Sequence, residues 1–341
     1  MVQPVRIGFL LIQRFSALGF LCASEPLRVT NRLGERTLFE WVVLSENGEP
    51  VTASNGMQIR PAAALDAHTD IDWLIICSGF EPLKYSTPAL PRLLRRLAAR
   101  HVTIGGLDTA AFILAQARLV HDLRVTVHWE ASAAFTESFP DIAVSGELFE
   151  DHDRIFTCAG GTASIDFMLH RIARLHGATL ARRVSEQFIH TTIRLPGAPQ
   201  RLRSPATAAP GSRILARALT LMERISDRRL TSEELETATR YCARHVERQF
   251  RRHFGWGPAT HHRKLRLAKA RSLLRETSLP IADIASICGF DSRPNFCRAY
   301  GAEYGLAPSA DRHEPERGQP LIRADSLPDP AGPVSPPTGG A

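Results

Sequence analysis

Two patterns of apolar and polar positions divide this chain. From residue 4 to about 192, short apolar runs alternate with amphipathic stretches. Val5 to Ile12 is apolar apart from Arg6 and Gly8, the pattern of a strand buried on both faces. Trp73 to Cys77 and Val102 to Ile104 repeat it, while Ala89 to Arg100 and Ile165 to His176 carry helical periodicity. Strand–helix alternation of this kind predicts an α/β domain with a mostly parallel sheet. Four prolines then fall between Leu195 and Pro210, a linker composition. From Ser212 to about Arg312 the pattern is helical throughout, and Pro315 to Ala341, rich in Pro, Gly and Asp, predicts disorder. The expected organisation is an α/β domain over 1–193, a linker over 194–211, an all-α domain over 212–313 and a tail over 314–341.

Within the helical part, Ile281, Ile284, Ala285 and Cys288 describe one apolar face, and Gly289 stands where a helix takes a left-handed cap. A second helix can start at Arg293-Pro294, with Phe296 and Tyr300 inward. One helix braces and the next presents polar side chains, which is the helix-turn-helix design. The design repeats upstream. Thr231 and Glu234 have capping-box spacing, a turn falls near Arg240-Tyr241, and Val246, Phe250 and Phe254 form the inner stripe of a helix closed by Gly255. Between the copies, His261 to Arg275 carries Leu267, Ala270 and Leu274 at helical spacing. Such a helix would hold two reading heads at a fixed distance, about 34 Å apart if they fill successive major grooves.

Charge sharpens this picture. Residues 211–320 hold 20 Lys+Arg and 13 Asp+Glu, against 21 and 20 in residues 1–210. Arg240 to Arg275 includes eleven basic residues and one acidic one, Glu247. That bias points to a polyanion-binding surface. The run IADIASICGFDSRPNFCRAYGAEYGLAPSADR and the module around it, 212–312, resemble the DNA-binding domain of the AraC/XylS family. The resemblance places Arg244, His245 and Arg248 on the first recognition helix and Arg293, Asn295 and Arg298 on the second. Arg suits guanine and Asn suits adenine, so Arg244, His245, Arg293 and Asn295 are candidates for base edges. Arg248, Arg251, Arg252 and Arg298 are candidates for phosphates, which take most protein–DNA hydrogen bonds. Two departures from the family are Arg240-Tyr241 in the first turn and Cys242 and Pro294 where Ser often opens a recognition helix. Cys caps poorly, so the first helix is expected to be the less firmly ended.

In the first domain, Val102 to Ala110 reads as strand, tight turn and helix start, which exposes Asp108 at the top of the sheet as a nucleophile elbow does. Glu25, Gly79 after its strand, Thr109 and the pair His128-Trp129 are expected around it, because ligands of open α/β sheets bind at the carboxyl ends of strands. Residues 5–190 resemble the PfpI-like, class I glutamine-amidotransferase-like fold, a flavodoxin-like sandwich. With an AraC-type module behind it, the whole resembles the GlxA group of transcriptional regulators. Enzymatic relatives of the fold carry Cys at the elbow, and a carboxylate is a poor replacement for a thiolate. Cys158, ahead of a helix, is open to two readings, a low-pKa thiol or an inert buried one.

The resemblance therefore implies a sequence-specific transcription regulator, activation being the commoner mode, gated by a small metabolite. Some regulators resembling this one respond to amino acids or to quaternary amines such as betaine and carnitine. Carboxylates beside an aromatic ring suit a cation of that kind. A homodimer acting on promoter DNA with RNA polymerase is implied, in the cytoplasm and at the nucleoid when bound. The competing reading is a PfpI-like hydrolase or lyase fused to a DNA-binding domain. The six cysteines form no CxxC and no ligand cluster, so neither a metal, a cofactor nor a disulfide framework is expected. No stretch reaches the ~18 apolar residues of a membrane span, and no signal-peptide pattern opens the chain.

Overall fold

The computed structural model describes residues 3–201 and 212–313. The part of the expected linker at 202–211 and the tail expected over 314–341 lie outside the described residues.

The first domain runs β1 (Val5–Leu11), α1 (Ala17–Leu33), β2 (Phe39–Ser45), β3 (Val51–Thr52), β4 (Gln58–Ile59), β5 (Ala63–Ala64), β6 (Trp73–Cys77), α2 (Pro82–Tyr85), α3 (Leu90–Ala99), β7 (Thr103–Leu107) and α4 (Ala111–Gln116). It continues through β8 (Val125–Thr126), α5 (Ser132–Ser138), β9 (Val144–Ser145), β10 (Phe149–Asp151), β11 (Ile155–Cys158), α6 (Ala163–His176) and α7 (Ala178–Gln187). Seven strands form one sheet in the order β10-β11-β7-β6-β1-β2-β5. Every pairing in it is parallel except the β10–β11 edge.

Alternation along the strands explains the two layers. Ile7, Phe9 and Leu11 of β1 face a core with Leu27 of α1 and Phe167 and Ile172 of α6. Leu10 points the other way, into a core with Leu94 of α3, Phe112 of α4 and Phe135 of α5. The central strands are therefore apolar on both sides, which is why the first apolar runs were legible as strands. The strand after Val102 extends from Thr103 to Leu107, so its carboxyl end delivers Asp108 directly.

The second domain is α8 (Ser212–Arg224), α9 (Ser232–Thr239), α10 (Ala243–Phe254), α11 (Pro258–Glu276), α12 (Ile281–Ile287), α13 (Arg293–Tyr304) and α14 (Pro308–His313). It has two cores. Leu215, Ala218, Met222, Leu235, Val246 and Phe250 close the first, among α8, α9 and α10. Leu267, Leu274, Ile284, Cys288, Phe296 and Tyr300 form the second, which is continuous with the α5 side of the first domain. Helix α11 begins one turn earlier than its periodicity indicates, because Pro258 occupies the first position after the Gly257 cap. Its 19 residues span on the order of 28 Å, close to one turn of duplex DNA.

Residues 194–201 are linker by composition, yet the structure pins them to the first domain. Leu148 N–H donates to the carbonyls of Pro196 and Ala198, both at 3.1 Å. The Gln200 side chain donates to the carbonyls of Val127 and Glu147. Upstream, Asp166, fully buried, receives His190 at 2.9 Å and Arg194 at 2.6 Å. A buried carboxylate needs such partners, and here they fix where the chain leaves the sheet.

Candidate nucleic-acid interface and ligand site

The two helix-turn-helix units close their turns differently. In the first, Thr231 and Glu234 make the reciprocal capping box at the start of α9. The hydrogen bonds to Arg228 and the Thr231 backbone hold the Glu234 carboxyl down at about 2. The turn then passes through Arg240 at φ 64°, left-handed without being glycine, a conformation that costs about 1–2 kcal/mol for an L-residue. Cys242 makes no side-chain cap on α10. The first helical N–H, of Ala243, is met instead by the Glu236 carboxylate at 2.5 Å, reaching over from α9. The expected weak end is thus capped from outside the local sequence.

In the second unit, Gly289 takes φ 69°, and a Cβ there would sit 2.5 Å from the Asp227 carbonyl oxygen, so only glycine fits the corner. Ser292, not position 294, caps α13, accepting from Asn295 N–H. The helix is therefore capped by a serine, two residues before Pro294. Arg266 of α11, only 5% exposed, donates to the Gly289 carbonyl at 2.7 Å and lies 4.8 Å over the Phe290 ring. Burial lowers its pKa, but the carbonyls it meets are the orphan acceptors of α12's end. Asp311, buried, joins α14 to the rest by bonds from Arg271 at 2.8 Å, Arg275 at 2.9 Å and the Tyr300 hydroxyl at 2.5 Å. Burial alone would raise its pKa; the three donors outweigh that and hold it below the ordinary carboxylate range.

On α10, Arg244, Arg248, Arg251 and Arg252 are exposed, and on α13 so are Arg293 and Arg298. His245 stacks on Tyr241 with centroids 5.0 Å apart and meets Arg248 at 3.0 Å. Arg251 is ion-paired with Glu247 at 2.8 Å, and Arg298 bonds the Asn295 amide oxygen at 2.5 Å. Arg229 and Asp291, 2.7 Å apart, tie the two units together. The arginines of both predicted sets are exposed, while His245 and Asn295 are half-buried.

In the first domain, Asp108 follows β7 at φ 64°. Its N–H donates to the Cys158 carbonyl at 2.9 Å, and its carbonyl accepts His128 N–H at 3.1 Å. The Thr109 hydroxyl bonds Ser78 Oγ at 2.9 Å and the Gly79 carbonyl. Gly79 itself presses on Arg14, where a Cβ would come 2.3 Å from the carbonyl oxygen. Asp108, Thr109, Gly79 and His128 therefore meet at the carboxyl ends of β6 and β7. Burial lowers the His128 pKa, with Glu130 pulling the other way, so the ring is neutral at pH 7. Trp129 is 42% exposed beside it. Glu25, half-buried on α1, is ion-paired with Arg28 at 2.7 Å. Cys158 is fully buried, and burial pushes its thiol up to about 12, which settles the two readings in favour of an inert thiol. Among the described residues no group of His, Cys, Asp and Glu could hold a metal ion.

Sequence reading missed Arg201, Glu236, Arg266 and Asp311. Arg266 carried a signal, since it lies four residues before Ala270 on the apolar stripe of α11. Arg201 and Asp311 have long-range partners with no local periodicity to betray them, and Glu236 reaches a helix start seven residues on, beyond its own helix.

An α/β sandwich with an elbow lacking cysteine, followed by two basic helix-turn-helix units, defines a DNA-binding regulator carrying a sensor-type domain. The DJ-1/PfpI family model matches residues 6–174 and the helix-turn-helix domain model residues 235–314. The HTH-type transcriptional regulator CdhR of Pseudomonas aeruginosa is 45% identical over 304 residues, 89% of this chain and 90% of that protein. GlxA of Rhizobium meliloti, also an HTH-type transcriptional regulator, is 34% identical over 308 residues, 90% and 95% of the two chains. The crystal structure of an AraC family transcriptional regulator from Pseudomonas putida superposes with a TM-score of 0.51 at 30% identity, covering 54% of this chain and all of that one. The chain belongs to the AraC-type transcriptional regulators of the GlxA kind, with an N-terminal DJ-1/PfpI domain. No helix among the described residues is long and apolar enough to cross a membrane.

Proposed function

We propose that this regulator is gated by a small cationic nitrogen compound, an amino acid or quaternary amine, held at the elbow by Asp108, Thr109, Gly79, His128 and Trp129, with Glu25 at the rim. The observation that carries this reading is Trp129. Its ring lies 5.6 Å from His128, and the Arg201 guanidinium stands 4.6 Å over its face. That face already takes a cation, supplied by the chain's own segment 194–201. A cationic effector competes with Arg201 for the ring, and a neutral His128 sets no positive charge against it. The reading divides the chain as 1–193 sensor, 194–211 linker and 212–313 DNA-binding domain. On the DNA side, Arg244, His245, Arg293 and Asn295 read bases, while Arg248, Arg251, Arg252 and Arg298 hold phosphates. A homodimer engaging RNA polymerase, as an activator at the nucleoid, completes the proposal.

Gating is a population shift, so the effector acts only through different affinities for two arrangements. Calorimetric titration of the full chain with arginine, betaine and carnitine tests it. Binding of one amine, weakened at least tenfold by Trp129→Ala, is the expected result; binding of a neutral or anionic metabolite and of no amine refutes it. The enzymatic reading has no cysteine to use at the elbow: Asp108 stands there, and the Cys158 thiol is buried, its pKa raised to about 12. An amidase and glyoxalase screen with wild type and Cys158→Ala checks this, with turnover abolished by Cys158→Ala the result that would revive it.

A further inference from the structure

The second reading head and the sensor domain share a face. Helix α5 packs on α11, and Leu267, Leu273 and Leu274 of α11 lie in one apolar cluster with Phe135 of α5 and Phe112 of α4. The first reading head closes its core without the sensor. At the edge of the shared face, a cleft of about 620 Å³ is lined by Glu81, Lys84, Glu137, Glu276, Leu279 and Arg312.

Inside it, Glu81 N–H donates to Glu276 Oε2 at 3.0 Å. Glu276 is the last residue of α11, where the negative end of the helix dipole disfavours a carboxylate. Its place there is explained by what it meets on the sensor. Glu81 is itself held left-handed at φ 52°, with its carboxylate on Arg14 at 3.2 Å and Lys84 at 2.8 Å. Arg14 also lies 5.3 Å from the Phe80 ring. Two residues back, the Gly79 carbonyl receives the Thr109 hydroxyl of the elbow. A short loop, hydrogen-bonded at both ends, thus runs from the elbow to the end of α11.

We propose that loop 79–81 and the Glu276 carboxyl form an intramolecular docking latch, through which the state of the elbow sets the position of the second reading head. Its use as a relay rests on the gated reading above; the docking itself does not. Arg293 and Arg298 remain exposed when the latch is closed, so docking orients the head without covering it.

Burial, with the Glu81 charge adding to it, pushes the Glu276 carboxyl up to about 7, against the opposing Glu81 N–H bond, Arg275 and Arg14. Lys84, Glu137 and Arg312 complete the charged groups of the cleft. A carboxyl raised by docking favours the docked state at low pH. The cost of docking grows between pH 4.5 and 7 and is constant above.

Hydrogen exchange of the full chain, corrected for intrinsic rates, tests this at residues 132–139 and 276–280. In wild type, the docking equilibrium falls on the order of thirtyfold from pH 5.5 to 8. Glu276→Gln, which keeps the acceptor and loses the charge, abolishes that dependence and stays protected at pH 8. Glu137→Arg, on exposed sensor surface, lowers protection of both segments at every pH. Wild type and Glu276→Gln showing the same pH profile, or Glu137→Arg protecting as wild type does, overturns the latch. Intact docking with no response to any effector leaves the latch standing and counts against gating instead.

Discussion

The two reading heads use one design with different supports. The second closes its turn on Gly289, caps α13 with its own Ser292 and braces the corner with the buried Arg266. The first turns through Arg240 and has a Cys where a capping side chain belongs, so Glu236 must cap α10 from the preceding helix. A cavity of about 340 Å³ lined by Met222, Leu235, Val246 and His262 also opens in the first head. The second head shares its core with the sensor, whereas the first keeps to its own. The lesson is that the weaker local signals belong to the head that relies on fewer neighbours. The first is braced by its own helices, and the second rests on the first domain as well.

The contrast can be broken most severely at Asp311. Asp311→Ala leaves Arg271 and Arg275 without their carboxylate, and costs about 3 kcal/mol, the lower part of the range because both arginines keep some solvent contact. Exchange protection should fall across α12 to α14 while α8 to α10 keep theirs. Because the Asp311 pKa is depressed in the folded state, its contribution is present above the ordinary carboxylate range and is lost as pH falls through the lowered value. In acid, the second head of wild type should therefore lose stability as Asp311 protonates, and the variant should lose that step.

A smaller effect separates reading from holding. Arg293→Ala should cost about 1–3 kcal/mol at one base position, seen in a binding-site selection as relaxed specificity there. Arg252→Ala should weaken binding to all sequences alike and reduce the salt slope by about one. The reverse assignment of the two phenotypes would exchange their roles.

The smallest effect sharpens the comparison. Glu236→Ala removes the borrowed cap of α10 and should destabilise the first head by about 1 kcal/mol in urea denaturation. Cys242→Ser in that background supplies a cap in place and should restore most of the loss. No loss on Glu236→Ala would mean that the α10 terminus is held by other means.

The sequence disclosed what depends on local pattern. The strands at Val5, Trp73 and Thr103, the Thr231 capping box, Gly255 and Gly289 were all visible as periodicity or as a residue type at a helix end. Asp108 was placed at the elbow because a strand followed by a tight turn delivers it there. What escaped was long-range. The Asp311 cluster joins residues up to 40 apart, Arg201 reaches Trp129 across the fold, and Glu276 meets Glu81 across 195 residues. The segment 194–201 read as linker because composition reports proline, not the carbonyl partners that pin it. The Arg28 partner of Glu25, three residues along the same helix, is the kind of local pair that helical spacing makes visible.

Two unequal heads, joined by one helix, each occupy their own stretch of DNA. Footprinting of the full chain on a selected site measures this directly. The account predicts two protected segments about one helical turn apart, with Arg293→Ala losing protection in one of them and leaving the other in place. A single protected segment, or loss of both on Arg293→Ala, would contradict it.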